Sequence, residues 1–509
     1  MERGYDPRDF ALLPFGGAGP LHGADLAALL GMRTVVVPRH PGVLSTFGLL
    51  GTEVRNDYAR TSLQKPPDYD LEAIAAVYAD LERQAQAWLA AEGVPPARRR
   101  LRRLADLRYR HQGFEITVPW EERDLSPDTL IRRFHARHRQ LYTYALEDAP
   151  VEIVTLRVAA AGRVRRFALP TLDARRGPAR RARPGGRRVY FAGAGWVSCP
   201  CVDRAALGVG AVLAGPAIVE QLDSTTVVWP GQRATVDRHG NLIVRLGAVR
   251  RRAGAPAAAD PQPDPVTREI VKGALRAAQA EMEAVIERTA MSPFIREKND
   301  YFAGILDARG RVVCGTMVPL FGNLTEIIFR QYRPETMRPG DLYWYNDCYG
   351  SRGGVSHSPD MVFAAPVFHQ DRLVAFSQTW GHFWDIGGMR AGSISPDATE
   401  IFHEGIIVPA VRIYREGVLN DEAFRIFVRN SRFPDILQAD IRAVLAGCRL
   451  GERRVQELFE RFGAAAVLEA WAFFERQCRD TIRKMLESRI PDGAYESEDA
   501  VDGDGMSGR

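Results

Sequence analysis

At 509 residues, 46% hydrophobic and 26% charged, the chain can bury large cores and divide into two or more domains, which excludes a disordered polymer. The formal charge is +5, but residues 163–188 hold ten arginines against one acid, Asp173, so the basic excess is local and no nucleic-acid partner is expected. Six irregularly spaced cysteines exclude a disulfide framework, and with no signal core or membrane-spanning apolar run to be read, a cytoplasmic protein without a membrane partner is expected.

In chain order, FGGAGP (15–20) leads into LHGADLAALLG, a helix closed by Gly31, and then a β-branched strand at 35–37, which reads as α/β architecture. A helix is predicted over 71–91, with Ile74, Val77, Tyr78, Leu81, Ala85, Trp88 and Leu89 on one stripe. LRYRHQGFEITVP alternates as a strand, and Ser126-Pro127 opens a helix carrying Leu130, Ile131, Phe134 and Leu141. VEIVTLRVAAAG and AIVEQLDSTTVVWPGQRATVDRHGNLIV read as turn-linked strands, so residues 95–247 form a mixed α+β module.

Two linkers stand out. The arginine-rich stretch 163–188 lacks a periodic apolar face and reads as a solvated loop, and the Pro/Ala stretch 250–265 is a hinge and the strongest domain boundary. Beyond it, Thr267 is expected to cap a helix with Ile270, Val271, Leu275, Met282, Val285 and Ile286 on its stripe. Strands FAGILD, RVVCG, MVFAAPVF, RLVAFSQTW and GIIVPAVRIY follow, and two helices, about 436–447 and 451–487, close the segment.

The densest run of chemically active residues is NDCYGSRGGVSHSPDM (346–361) followed by SQTWGHFWDIGGMRAGS (377–393). His357 and Asp360 are three apart, within reach of one ion. His382 lies beyond an intervening strand, and two strands returning to one end of a sheet would gather all three. Two imidazoles with carboxylates and no thiolate suit Mn, Fe or Zn with positions left open for water or substrate oxygen. The same residues also read as a hydrogen-bonded loop pair, since H-x-x-D is common by chance. Spacing does not place Glu297, which stands beside Arg296 and Lys298 in SPFIREKND. Cys199 and Cys201 form a C-P-C pair with no second pair to complete a metal site. In FGGAGP, Gly16, Gly17 and Gly19 offer backbone and a helix start to a nucleotide, or serve as a structural turn.

Taken together these segments resemble the hydantoinase/oxoprolinase family. RGYDPRDFALLPFGGAGPLHGADLAALLGMRTVVVPRHPGVLSTFGLL resembles the C-terminal part of the hydantoinase A ATPase domain, of the actin/Hsp70/sugar-kinase superfold. RYRHQGFEITVP and GPAIVEQLDSTTVVWPG resemble the module that follows it. DPVTREIVKGAL, the S-P-x-x-R-E run, GGVSHSPDM, GHFWDIGG, TEIFHEGIIVP and IPDGAY resemble hydantoinase B. The implied layout is residues 1–60 as the ATPase piece, 61–249 as an α+β module, 250–265 as linker and 266–509 as the N-terminal part of a hydantoinase B-like α+β domain.

The resemblance implies Glu297, His357, Asp360 and His382 as ligands of a divalent metal, and Gly16, Gly17 and Gly19 beside the adenosine of ATP. Asp385 and Glu404 become acid/base candidates or supports of the ligands. It further implies ATP-dependent hydrolysis of a cyclic amide of the 5-oxoproline or hydantoin type, with an acetone- or acetophenone-type carboxylase subunit and a non-catalytic assembly subunit as rival readings. The superfold's two phosphate loops with their Mg-binding acids would lie upstream of Met1, and the hydantoinase B pattern is about half finished at the other end. A segment of a larger fused protein with an incomplete ATP–Mg site is therefore expected, working as a homo- or hetero-oligomer. NDCYGSRGG lacks the family's usual proline after N-D, and GHFWDIGG replaces a commoner H-H-A-D-I-G-G, which bears on the substrate more than on the metal.

Overall fold

In the computed structural model the described residues are 6–120, 126–163, 169–172, 186–191, 194–246, 265–317, 322–392 and 395–499. Most of the expected arginine-rich loop, and all of the expected hinge but Pro265, lie outside them. The described chain is mixed α and β, with nearly all of its sheet pairing antiparallel.

The opening strand Thr34–Val37 cannot bury itself alone, and it finds its partner far along the chain. It pairs antiparallel with Leu242–Arg245 in a sheet completed by Arg233–Val236 and Val212–Ala214. Val35 and Val37 bury with Val202, Val219, Val236 and Val244. This sheet crosses the boundary expected at residue 60, and the opening segment shares one core with the end of the α+β module. The sequence could show that the strand was buried; it could not show which edge it joined.

A second core lies between them in sequence. The strands Val54–Gln64, Val151–Gly162, Arg99–Tyr109 and Ile116–Pro119 form one antiparallel sheet in that order. The helix Leu71–Ala91 lays Ile74, Tyr78, Leu81, Ala85 and Leu89 on it, and the Asp70 carboxylate caps the helix by accepting from Ala73 N at 2.9 Å. Each large side chain so buried contributes roughly 1.5–3 kcal/mol before entropy is counted. Val285, Ala439 and Ala446 from later helices, and Met291 just after the first of them, join this core, so it packs directly against the next unit.

That unit is a seven-stranded antiparallel sheet in the order Val312–Gly315, Tyr301–Asp307, Arg372–His382, Asp360–His369, Leu342–Tyr345, Val411–Arg415, Val418–Leu419. Alternate residues leave on opposite faces. Met361, Phe363 and Ala365 meet helices Pro265–Thr289 and Pro434–Phe462, while Val362, Ala364 and Phe376 meet Ile327 and Ile328. Both faces are covered, which is why MVFAAPVF reads as an unbroken apolar run.

Two expectations change here. Thr267 lies inside the helix Pro265–Thr289 and is buried, so it is not the cap. The closing helices divide at Gly463 (φ +77°), as Pro434–Phe462 and Ala464–Arg489, and not near residue 450. Gly451 serves close approach instead of termination: a Cβ there would collide with Ser377 Oγ and Met282 Sδ. No helix of the described residues is long and apolar enough to cross a membrane.

Candidate metal centre

Asp360 opens the strand Asp360–His369 and His382 closes the strand Arg372–His382; in the antiparallel register the two are direct partners. His357 sits one tight turn before Asp360, whose N–H donates to His357 O at 3.2 Å. One end of one hairpin therefore gathers all three side chains. Asp360 Oδ1 lies 2.9 Å from both His357 Nε2 and His382 Nδ1, and the two ring nitrogens are 3.0 Å apart. Three donors on one face of an octahedron with bonds of about 2.1 Å would lie about 3.0 Å apart, so their chemistry and spacing fit a divalent ion.

The electrostatics agree with a shared charge. Burial opposes protonation of His357, but the hydrogen bond and charge of Asp360, helped by Glu404 and Asp300, outweigh it and raise its pKa above the ordinary imidazole value. Burial likewise opposes ionisation of Asp360, and its hydrogen bonds to His357 and His382, with their charges, hold its carboxyl below the usual range.

The surroundings fix these side chains. The His382 ring packs against Phe294 at 4.9 Å between centroids, and its backbone N–H donates to Asp300 O at 3.0 Å. Its Nε2 is buried without a hydrogen-bond partner among the described residues, leaving that nitrogen available to carry the proton when Nδ1 acts as a donor atom. Asn346 bolts the loop of His357 to the segment after Glu404: its Nδ2 donates to Ser358 O and Ile406 O, and its Oδ1 accepts from Val408 N. Asn346 and Asp300 went unnoticed in the sequence. N-D at 346–347 stands out in the sequence only for lacking the family's usual proline after it, and nothing in the spacing ties Asp300 to His382.

Three family models match the chain end to end: hydantoinase/oxoprolinase over residues 1–58, the hydantoinase/oxoprolinase C-terminal domain over 67–245, and hydantoinase B/oxoprolinase over 264–508. The chain belongs to the hydantoinase/oxoprolinase family. Relatives include 5-oxoprolinase 1 of Arabidopsis thaliana, 27% identical over 96% of this chain and 39% of its own length. The 5-oxoprolinase of Saccharomyces cerevisiae is 22% identical over 96% of this chain and 39% of its own length. The 5-oxoprolinase of Dictyostelium discoideum is 24% identical over 95% of this chain and 38% of its own length. Among solved structures, an ATP-dependent caprolactamase from Pseudomonas jessenii shares 28% identity over 48% of this chain and 37% of that one (TM-score 0.36). A nucleotide-free acetone carboxylase shares 22% over 48% and 36% (TM-score 0.42). The chain spans about two fifths of the length of the curated relatives it matches across its whole extent.

The other candidate residues of this hydantoinase/oxoprolinase chain are placed as follows. Glu297 stays outside the three-residue group: its side chain is 62% exposed and its Oε1 accepts from Arg296 Nη2 at 2.6 Å. Glu404 is close, with Oε2 accepting from Ser358 N at 2.8 Å, one residue from His357. Asp385 is a buried anchor whose oxygens accept from Arg432 N and Nη1, Ser431 Oγ and Gly387 N. Gly16 (φ +81°) and Gly17 form the turn before the helix Gly19–Leu29; Gly16 N donates to Pro41 O, and an added Cβ at Gly17 would press on Asp223 O. Cys199 and Cys201 are buried as free thiols beside Phe191 and Ile218.

Proposed function

We propose that this chain is the metal-bearing part of an ATP-dependent cyclic-amide hydrolase of the 5-oxoproline or hydantoin type. The observation that carries the reading is the convergence of His357 Nε2, Asp360 Oδ1 and His382 Nδ1 at one hairpin end, in a chain aligned over nearly all its length with proteins named 5-oxoprolinase.

The chemistry has a physical logic. An unactivated amide carbonyl is a poor electrophile, and phosphorylation by ATP turns its oxygen into a leaving group. A divalent ion held by His357, Asp360 and His382 would polarise an oxygen and acidify water. The chain's own residues do the rest. Asp360 balances charge and orients both imidazoles, Glu404 holds the Ser358 backbone and so the direction of His357, and Asp385 braces the Gly387-Gly388 turn from a distance. Glu404 Oε1 is the carboxylate oxygen left to accept a proton, and Gly16, Gly17 and Gly19 are the proposed contact with the adenosine side of ATP.

The test is ATP turnover by the natural protein that carries this chain, with 5-oxoproline, hydantoins and small ketones, each with and without bicarbonate. Turnover driven by a cyclic amide without bicarbonate is expected. Turnover that needs a ketone and bicarbonate makes it a carboxylase, and none with any substrate makes it an assembly subunit.

A further inference from the structure

A cavity of about 310 Å³ lies on the seam between the α+β module and the unit of the seven-stranded sheet, and neither His357, Asp360 nor His382 lines it. Its walls come from three helices: the end of Pro127–Tyr142, the second half of Pro265–Thr289 and the middle of Pro434–Phe462. Leu141, Val285 and Leu450 make part of the lining apolar.

The charge there is unbalanced. Arg288, Arg453 and Arg454 line the cavity with one acid, Glu281. Arg454 is already taken up, its Nε donating to Glu281 Oε2 and its Nη1 to Glu457 Oε2, each at 2.8 Å. Arg288 and Arg453 have no side-chain hydrogen bond or ion pair among the described residues. They stand on different helices, so the cavity holds two separate unpaired cations. Guanidiniums sharing a cavity repel until an anion enters, and each can take a carboxylate through two parallel hydrogen bonds.

The third wall has the opposite polarity. Helix Pro127–Tyr142 ends in the cavity, where Thr143 turns left-handed (φ +76°) and donates its N–H to Arg139 O at 2.8 Å. The last carbonyls of the helix are left without helical partners and carry its negative end, which favours a cation. Inorganic phosphate would answer the two arginines but neither this helix end nor the apolar lining.

We propose that this cavity binds a small amino dicarboxylate, with one carboxylate on Arg288, the other on Arg453 and the ammonium at the end of helix Pro127–Tyr142. Opening a lactam ring that carries a carboxylate adds water across the C–N bond and releases a chain with one amine and two carboxylates. The ligand is therefore of the class of product expected from the proposed function. That link rests on the cyclic-amide reading; the site itself does not. Because its walls belong to both units, an occupied cavity ties the α+β module to the sheet that carries the metal centre.

The experiment is calorimetric titration of the 509-residue chain with L-glutamate, glutarate and inorganic phosphate, each to about 10 mM so that millimolar affinity is seen. It compares the unsubstituted chain with Arg288→Gln, Arg453→Gln and a control, Arg479→Gln, on the exposed end of helix Ala464–Arg489, with circular dichroism confirming the fold. L-glutamate should bind about one per chain, glutarate about 10-fold more weakly and phosphate more weakly still. Arg288→Gln and Arg453→Gln should each weaken L-glutamate about 10-fold or more, and Arg479→Gln should stay within about twofold. Phosphate binding as tightly as L-glutamate overturns the proposal, as does the absence of saturable binding or an L-glutamate affinity within twofold of the unsubstituted chain in both cavity variants. If L-glutamate binds as expected while ATP turnover by the natural protein needs a ketone and bicarbonate, the site stands and the product link alone falls.

Discussion

Asp360 and His382 are register partners across one hairpin, and Asp360 Oδ1 meets His382 Nδ1 at 2.9 Å. The strands between them are buried on both faces, so the position of this pair is set by the sheet and not by a loop. A site on such a frame is held in place before any ligand arrives.

Glu404 acts on the site through the Ser358 backbone. Glu404→Gln keeps an acceptor but removes charge near His357, and we expect metal affinity to fall about 10-fold with the fold intact. Calorimetric titration checks this; affinity equal to the unsubstituted chain would leave Glu404 without a part in holding the site.

Asp385 makes the opposite prediction. Its oxygens accept from the buried Ser431 hydroxyl, the Arg432 and Gly387 amides and the exposed Arg432 guanidinium, and Asp385→Ala would leave the hydroxyl and the amides without their acceptor. A stability loss of about 2–3 kcal/mol is expected in denaturant unfolding, with metal affinity changed less than about twofold. Lost metal binding at unchanged stability would return Asp385 to the site.

The frame was legible where the local pattern decides it. The stripe of Leu71–Ala91, the hairpin around Ala308–Gly310 and the return of two strands that brings Asp360 to His382 all follow from periodicity and turn residues. Long-range choices were not legible. Nothing near residues 34–37 indicates that Leu242–Arg245 is their partner, and the expected start of a second closing helix at 451 falls on Gly451, whose missing side chain serves contact with Met282 and Ser377. At the site, spacing suggested His357, Asp360 and His382. It could not orient Glu297, whose neighbour Arg296 takes it up, nor reveal Asp300, which reaches His382 only through strand pairing.

A pH test concerns Asp440, buried between two cores, where it accepts from Met291 N and Ser292 N. Burial pushes its carboxyl up to about 6, and the hydrogen bonds only partly offset this. The folded state thus holds a proton that the unfolded chain releases near its ordinary value of 3.8. Stability from this group is present below that value and declines as pH rises to about 6, by about 3 kcal/mol. Asp440→Asn keeps an acceptor and removes the titration, so unfolding free energy measured from pH 4 to 7 should lose that decline. An unchanged profile would show that another group causes it.

The most direct test of the account is metal content after equilibration with Mn²⁺ or Zn²⁺ and removal of free ion, read by elemental analysis for the unsubstituted chain, His357→Ala, Asp360→Ala and His382→Ala. The account predicts about one ion per unsubstituted chain and a loss of affinity of about 100-fold or more in each variant, all three still folded. Equal metal content in all four proteins would contradict it.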